Sequence, residues 1–354
     1  MKKLVPRAIL SIAVGLWACP AQAEEIKLRA ASGHAAVQSY VHIMSTFMLP
    51  QIKQRVESRT KHKVDFIEGY GGSMVKPMDV MEGVQSGIVD IGAWAFPFEP
   101  SNLPLHSFQA LVPFGTMQAK DSVRIARAIY DKVPFMQKVL EDKFNQKLVG
   151  LVGDNGYNIM TTFNWKTLAD LKGKKIAGAG INLKWLESAG VTPVQFTAPE
   201  GYTGMQTGIY QGVLIFPSIA VNLKWYEVAK FYTLVGFGSI TWQTVTINNA
   251  RFKKLPKEVQ DIIVEVGREY EALTAKVSDD DYPKQLDAIK AGGAAINSVP
   301  DSVRIEWAKS LIKWPQEKAN ELNAKGLPAS QVLRMVVEEA EKLGYKWPVR
   351  YEIK

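Results

Sequence analysis

An α/β protein of two lobes is what this sequence predicts, and three observations carry the prediction. Strand and helix patterns alternate along the N-terminal third, and the same alternation restarts near Leu148. At 354 residues the chain is long enough for two hydrophobic cores rather than one. The string GVQSGIVDIG at Gly83 to Gly92 is echoed by GMQTGIYQGV at Gly204 to Val213, as two lobes built on one plan would produce. Glycine at helix ends and isoleucine in strands make coincidence the competing explanation.

Lys2, Lys3 and Arg7 open the chain, an apolar stretch runs from Ala8 to Ala18, and the small-residue triplet Ala21-Gln22-Ala23 follows. That order is the charged, apolar and cleavage-site sequence of a secretory signal peptide, here residues 1–23. The apolar stretch is shorter than the roughly 20 residues a spanning helix needs. A mature periplasmic chain starting at Glu24 is therefore expected. Cys19, the only cysteine, lies inside the signal, and the bulky Trp17 beside it fits a lipid-attachment motif poorly. The mature chain then has no thiol, which excludes disulfide scaffolds, thiolate metal sites and cysteine nucleophiles. Losing three basic residues lowers the formal charge from +8 to +5. The remaining Lys and Arg are scattered among acids without a basic stripe, so no nucleic acid is expected as a partner.

Ile26 to Ala31 alternates apolar and polar residues as a strand, and Val37 to Ser58 carries helical spacing. A strand at Val64 to Ile67 ends in Gly69, Gly71 and Gly72; helix Pro77 to Gln85 and strand Ile88 to Trp94 complete a unit whose strands should be mostly parallel. Beyond it, strands are expected at Leu148 to Val152, Ile159 to Phe163, Lys175 to Ala177, Thr192 to Phe196 and Val213 to Phe216. Short helical elements at Leu168 to Leu171, Leu183 to Ser188 and Glu200 to Tyr210 separate them. A long amphipathic helix is expected from Leu255 to Val277, started by Pro256 and stopped near Asp279-Asp280-Asp281, with further helices at Asp301 to Lys313 and Ser330 to Leu343. Without a Pro/Ser-rich linker, the crossings between lobes should be strands, near Val152 and near Gly236 to Ser239. The expected division is 24–151 plus 237–278 for lobe I, 152–236 for lobe II, and 279–354 as C-terminal helices packed across lobe II and the hinge.

Enzymatic readings make the sharpest demands and find little. His34, His42, His62 and His106 fall in no ligand spacing, so no metal is expected. Neither a nucleophile elbow with its partners nor a Ser-x-x-Lys occurs, so no catalytic residue is assigned. Gly178-Ala-Gly180 sits where a dinucleotide fold puts its phosphate loop, but Leu183 occupies the third glycine position and Glu200 opens a helix; no cofactor is expected. What remains is a surplus of aromatics at strand ends: Tyr70, Trp94, Phe96, Phe98, Tyr157, Tyr202, Phe216 and Trp242. Any one of them is more readily explained as lobe core. As a group, some should face the crevice where open α/β sheets bind ligands.

Five strings carry a family resemblance: GYGGSMVKPMDVMEGVQSGIVDIG (Gly69 to Gly92), GDNGYNIMTT (Gly153 to Thr162), TLADLKGKKI (Thr167 to Ile176), EGYTGMQTGIYQG (Glu200 to Gly212) and KWYEVAKFYT (Lys224 to Thr233). Their order and spacing resemble the substrate-binding subunits of tripartite ATP-independent periplasmic (TRAP) transporters, along nearly the whole mature chain. The resemblance implies a two-lobed periplasmic binding protein of the Venus-flytrap kind, with hinge strands and a long bracing helix. It also implies closure around a small organic solute and delivery to small and large integral membrane subunits.

Two departures bear on the solute. The family's strand motif, roughly LKGxKIR, ends in an arginine that grips a carboxylate through a bidentate pair; here Ala177 stands there. A second family arginine, in a GxR string, is Asn158 here. A charge-assisted hydrogen bond is worth about 1.5–3 kcal/mol, so a neutral or amine-bearing solute is preferred. A carboxylate held by a substitute base such as Lys175 or Lys184 is the alternative, and a periplasmic enzyme or a sensor component are the other classes left open. The expected ligand-binding set is His34, Gly72, Trp94 and Phe96 from the first lobe and Asp154, Tyr157, Asn158, Tyr202, Phe216 and Trp242 from the rest, in a monomer.

Overall fold

The computed structural model describes residues 25–354, so the expected signal peptide lies outside the described residues. Two sheets form. The first has strand order β2-β1-β3-β10-β4, with β1 at Glu25–Ser32, β2 at Lys63–Gly69, β3 at Ile91–Ala95, β4 at Gln146–Gly153 and β10 at Thr241–Asn248. β1 pairs in parallel with β2 and β3, while β10 returns antiparallel between β3 and β4. Ile26, Leu28 and Ala30 of β1 point inward at every second residue, the period of a strand packed on a core.

The second sheet has the order β11-β9-β5-β8-β6-β7. Its strands are β5 at Asn158–Thr161, β6 at Lys175–Gly178, β7 at Thr192–Gln195, β8 at Gly212–Ile215, β9 at Phe231–Leu234 and β11 at Ala295–Ser298. The last of these has no counterpart in the sequence expectation, because Ala-Ile-Asn-Ser offers neither an apolar run nor clear alternation.

Helices cover both faces. On one face of the first sheet, α1 (Leu49–Arg59) buries Leu49, Ile52 and Val56. On the other face lie α2 (Val80–Ser86) and α3 (Ala119–Lys132), the latter in a stretch where the sequence suggested no element. The second sheet carries α4 (Leu183–Glu187) on one face and α5 (Pro217–Asn222) on the other. α6 (Lys257–Ala291) spans both lobes, burying Val259, Ile263, Val266 and Tyr270 against the first sheet and Ile289 against the second. α7 (Asp301–Ser310), α8 (Trp314–Asn323) and α9 (Ala329–Lys342) join a core that runs from Ile129 of the first lobe to Trp185 of the second.

The long helix does not stop at the acidic cluster. It runs on to Ala291, 35 residues and about 50 Å in all, because each acid there has found a partner. Asp280 pairs with Lys276 and Asp281 with Lys284, one turn apart on the same face. Asp279 turns inward, accepting from the backbone N–H of Ala119 (2.7 Å) and Lys120 (3.1 Å), and so caps α3 from another helix. Pro283 lies inside the helix and cannot donate to the carbonyl of Asp279, a gap tolerated because both halves are packed on sheets. Asp279→Ala should lower stability by about 1–2 kcal/mol, the usual cost of a lost cap, read as a shift in the urea midpoint.

The chain passes between the lobes at 154–157, at 235–240 and along α6. The first two passages pair with each other: Tyr157 N–H donates to Gly238 O (3.0 Å) and Phe237 N–H to Tyr157 O (3.1 Å). A third segment lies alongside, with Phe114 N–H donating to Phe237 O and Ser239 N–H to Thr116 O (2.6 Å). Gly238 has φ 110°, and a Cβ there would stand 2.9 Å from Gly115 N, so this ribbon requires glycine.

Candidate functional site

Register decides which loops meet. In the first sheet Ala31 lies opposite Gly69, Ser32 opposite Ala93 and Thr241 opposite Gly153, so β1, β2 and β3 end where the crossings begin. In the second, Asn158 lies opposite Ile215 and Gly178 opposite Gln195, so β6, β7 and β8 end at the same hinge. The loops after these six strands form the two walls of a cleft floored by the ribbon.

On the first wall His34 is half-buried. Its Nδ1 lies 2.7 Å from the Tyr40 hydroxyl, its ring stands edge-on to Phe98 at 5.7 Å, and burial lowers its pKa. Ser32 fixes the turn, donating to Ala93 O at 2.8 Å and accepting from His34 N–H at 3.2 Å. Gly72 sits in the loop after β2 with φ 84°. Trp94 and Phe96 turn the other way, into the lobe core. Trp94 donates to Thr246 Oγ1 at 2.9 Å, and Phe96 packs on Trp94, His106 and Tyr130.

The floor gathers Asp154, Tyr157 and Trp242. Tyr157 is buried with its ring edge-on to Phe216 (5.2 Å), Trp185 (5.9 Å) and Trp242 (6.2 Å). Asn182 and Trp242 flank its hydroxyl, yet Asn182 Oδ1 and Trp242 Nε1 make no hydrogen bond. Asp154 lies beside Gln243, with Asp154 Oδ2 and Gln243 Oε1 also unpartnered. Burial pushes the Asp154 carboxyl up to about 6, while Gln243 opposes the shift.

A raised pKa means the folded form holds its proton more tightly than the unfolded chain. The Asp154 contribution therefore destabilises increasingly as pH rises from about 4 to about 6 and is constant above. Without solute, stability should fall across that window by on the order of 2 kcal/mol, and Asp154→Asn should flatten it, as urea melts at each pH would record.

Asn158 is placed differently from the aromatics. Fully buried, its Oδ1 accepts from the backbone N–H of Val235 (2.9 Å) and Gly236 (3.0 Å), and its Nδ2 donates to the Tyr282 hydroxyl at 3.3 Å. The residue locks one crossing to the other. Tyr202 donates to Glu227 at 2.9 Å and lies outside the cluster around Tyr157. Ala177 is buried among Met160, Val213 and Ile215. Lys175 is exposed at the start of β6, the end remote from the hinge, and Lys184 is exposed and paired with Glu187 at 3.0 Å.

Tyr40, Asn182 and Gln243 join this site without having been singled out by sequence. Asn182 follows the Gly178-Ala-Gly180 string, whose Gly180 (φ 56°) makes the strand-to-helix turn; Gln243 and Tyr40 are brought in only by register and packing. A groove of about 560 Å³ lies behind the hinge, lined by Gln118, Asn158, Gly236, Tyr282, Arg304 and Tyr345. It opens beside β9 and β11, away from the loops of the cleft. Among the described residues no His/Cys/Asp/Glu cluster could hold a metal, and no helix is long and apolar enough to cross a membrane.

Comparisons with known proteins bear on this arrangement. Residues 34–321 match the family model described as bacterial extracellular solute-binding protein, family 7. A solute-binding protein of Sulfitobacter sp. (strain NAS-14.1) is 30% identical over 167 residues, covering 46% of this chain and 50% of that protein. The chain thus spans about half the length of the first curated relatives it matches. The C4-dicarboxylate-binding periplasmic protein DctP of Rhodobacter capsulatus is 24% identical over 300 residues, covering 79% of this chain and 84% of that one. Among solved structures, a TRAP periplasmic solute binding protein from Desulfovibrio salexigens superposes with a TM-score of 0.79 at 23% identity, covering 90% of this chain and 96% of the other. One from Rhodoferax ferrireducens with copurified benzoate gives 0.78 at 18% identity, covering 90% and 98%. At these identities the structural likeness speaks for the fold: two α/β lobes of the periplasmic-binding kind.

Proposed function

Because the chain belongs to the bacterial extracellular solute-binding proteins of family 7, we propose that it captures a small organic solute between its lobes and delivers it, in the periplasm, to the small and large membrane subunits of a TRAP transporter. The carrying observation is that groups around Tyr157 come from both lobes and from the crossings that join them. A solute touching all of them favours the closed form, and its differential affinity for closed over open sets how far the equilibrium moves. Export through a cleaved signal peptide at 1–23 and a monomeric state complete the reading, with lobe I as 24–151 plus 237–278 and lobe II as 152–236.

The preferred solute is neutral or amine-bearing. Structural neighbours are described with benzoate, mandelate, pyroglutamate and galacturonate, all organic acids, bound to those proteins. Here Ala177 and Asn158 stand at the two arginine positions, Lys175 is exposed, and Lys184 is exposed and paired with Glu187. The groups that remain are amides, phenols, indoles, one carboxyl and the His34 imidazole, whose pKa burial lowers.

Calorimetric titration of the mature protein against amines, amino alcohols, polyols and organic acids tests the reading, followed by small-angle scattering with each binder. The expected result is a binder that contracts the protein and is recovered unchanged. If no bound solute altered the scattering curve, or if the protein consumed the solute, capture by closure would be wrong.

A further inference from the structure

The structure assigns Asp154 as the counter-charge for a solute carrying an N–H-bearing ammonium group, an assignment that rests on the solute-capture reading. Two other carboxyls in the first lobe are buried, and each has its cation. Asp90 takes Arg29 Nε at 3.0 Å and the Arg29 backbone N–H at 2.8 Å. Glu271 takes Arg127, together with the Leu151 N–H at 2.9 Å. Asp154 makes no ion pair among the described residues, and its Oδ2 is enclosed without a hydrogen bond. Gln243 lies beside it and the phenols of Tyr40, Tyr157 and Tyr270 sense its charge; the nearest imidazole, His34, sits behind Tyr40 and is kept neutral by burial, so no positive charge is among them.

The unpartnered atoms around Tyr157 have a common polarity. Asp154 Oδ2, Gln243 Oε1 and Asn182 Oδ1 are acceptors; Trp242 Nε1 is the one donor. Each enclosed acceptor left unmet is unfavourable, so the absent partner must bring hydrogens. A carboxylate brings only acceptors and places like charge beside Asp154. A quaternary ammonium brings charge without hydrogens. A primary or secondary ammonium brings both, and the clustered rings of Tyr157, Trp242 and Phe216 provide an apolar neighbourhood for its carbon-bound flank. Trp242 Nε1 then calls for an oxygen elsewhere on the solute. Gln243 belongs to the first sheet, Asn182 to the second lobe, and Asp154 and Trp242 to the ends of the crossings, so a donor bound among them is gripped from both sides.

The test uses the mature protein and matched sets on common skeletons: ethanolamine, choline, ethylene glycol and glycolate; phenethylamine, its trimethylammonium counterpart, phenethyl alcohol and phenylacetate. Thermal shift and calorimetry should register the primary amines alone, and Asp154→Asn should weaken them roughly ten- to hundredfold, the equivalent of one charge-assisted hydrogen bond. Asp154→Asn removes a buried charge and should fold at least as stably, so loss of binding is readable. The assignment fails if a quaternary amine, alcohol or acid binds the unaltered protein as tightly as its amine, if Asp154→Asn leaves amine affinity unchanged, or if no amine binds. An alcohol or acid that contracts the protein in scattering would remove the ammonium assignment and leave solute capture standing. If no member of either set contracted it, both would go.

Discussion

Replacing Trp185 by alanine should cost the folded protein about 3–5 kcal/mol, the range for emptying a large aromatic from a sealed core. The indole is fully buried, stacked on Phe237 with centroids 5.3 Å apart and edge-on to Tyr157 at 5.9 Å. Its Nε1 donates to Ala110 O at 3.0 Å, which ties the second-lobe helix α4 to a segment arriving from the first lobe. Trp307 donates in turn to the Trp185 carbonyl at 2.8 Å, a bond that survives the substitution. The loss is therefore packing plus one side-chain bond, and the orphaned Ala110 carbonyl adds to it. Urea melts would read it as a lowered midpoint with an unchanged slope; a midpoint shift worth less than about 1 kcal/mol would mean the core refills the space.

Asn158→Leu should be comparably severe for a different reason. The branching is kept on a bulkier side chain, but the N–H groups of Val235 and Gly236 lose their acceptor at the hinge, at about 1–3 kcal/mol for the buried Val235 group and less for Gly236 beside the groove. Asn158→Asp keeps an acceptor oxygen and should lose less. Amide exchange gives a residue-specific reading: Val235 and Gly236 should exchange faster in the leucine variant and stay protected in the aspartate variant. Unchanged protection in both would show that water or a neighbour replaces the side chain. The same geometry argues that an arginine cannot be returned to position 158 without disturbing the hinge.

Much of the fold was legible because its signals are local. The alternation in β1, the glycines after β2 and the second β/α run each reflect a single element meeting a single core. The long helix was cut short because Asp279-Asp280-Asp281 followed by Pro283 reads as a stop. Its continuation depends on Lys276, Lys284 and a cap given to α3, the last of these 160 residues away in sequence. The site divides the same way. Tyr157, Trp242, Phe216 and Asp154 could be named as strand-end residues. The inward turn of Trp94 and Phe96 depended on strand register, and the hinge bonds of Asn158 on the return path of the chain. Gln243 and Asn182 carry no signal of their own until the fold brings one to the Asp154 carboxyl and the other to the Tyr157 hydroxyl.

Pro283 gives the rod shared by the lobes a turn with one backbone bond fewer. Bending a helix ordinarily stretches a backbone bond on the convex side, but here the carbonyl of Asp279 already lacks its donor, so flexure concentrated at this turn breaks nothing further. Asp279 itself is pinned to α3 by its carboxylate. The first-lobe half of the rod is thus held fast up to this turn and the far half is packed on the second lobe through Ile289, so a change in the angle between the lobes would fall on this turn.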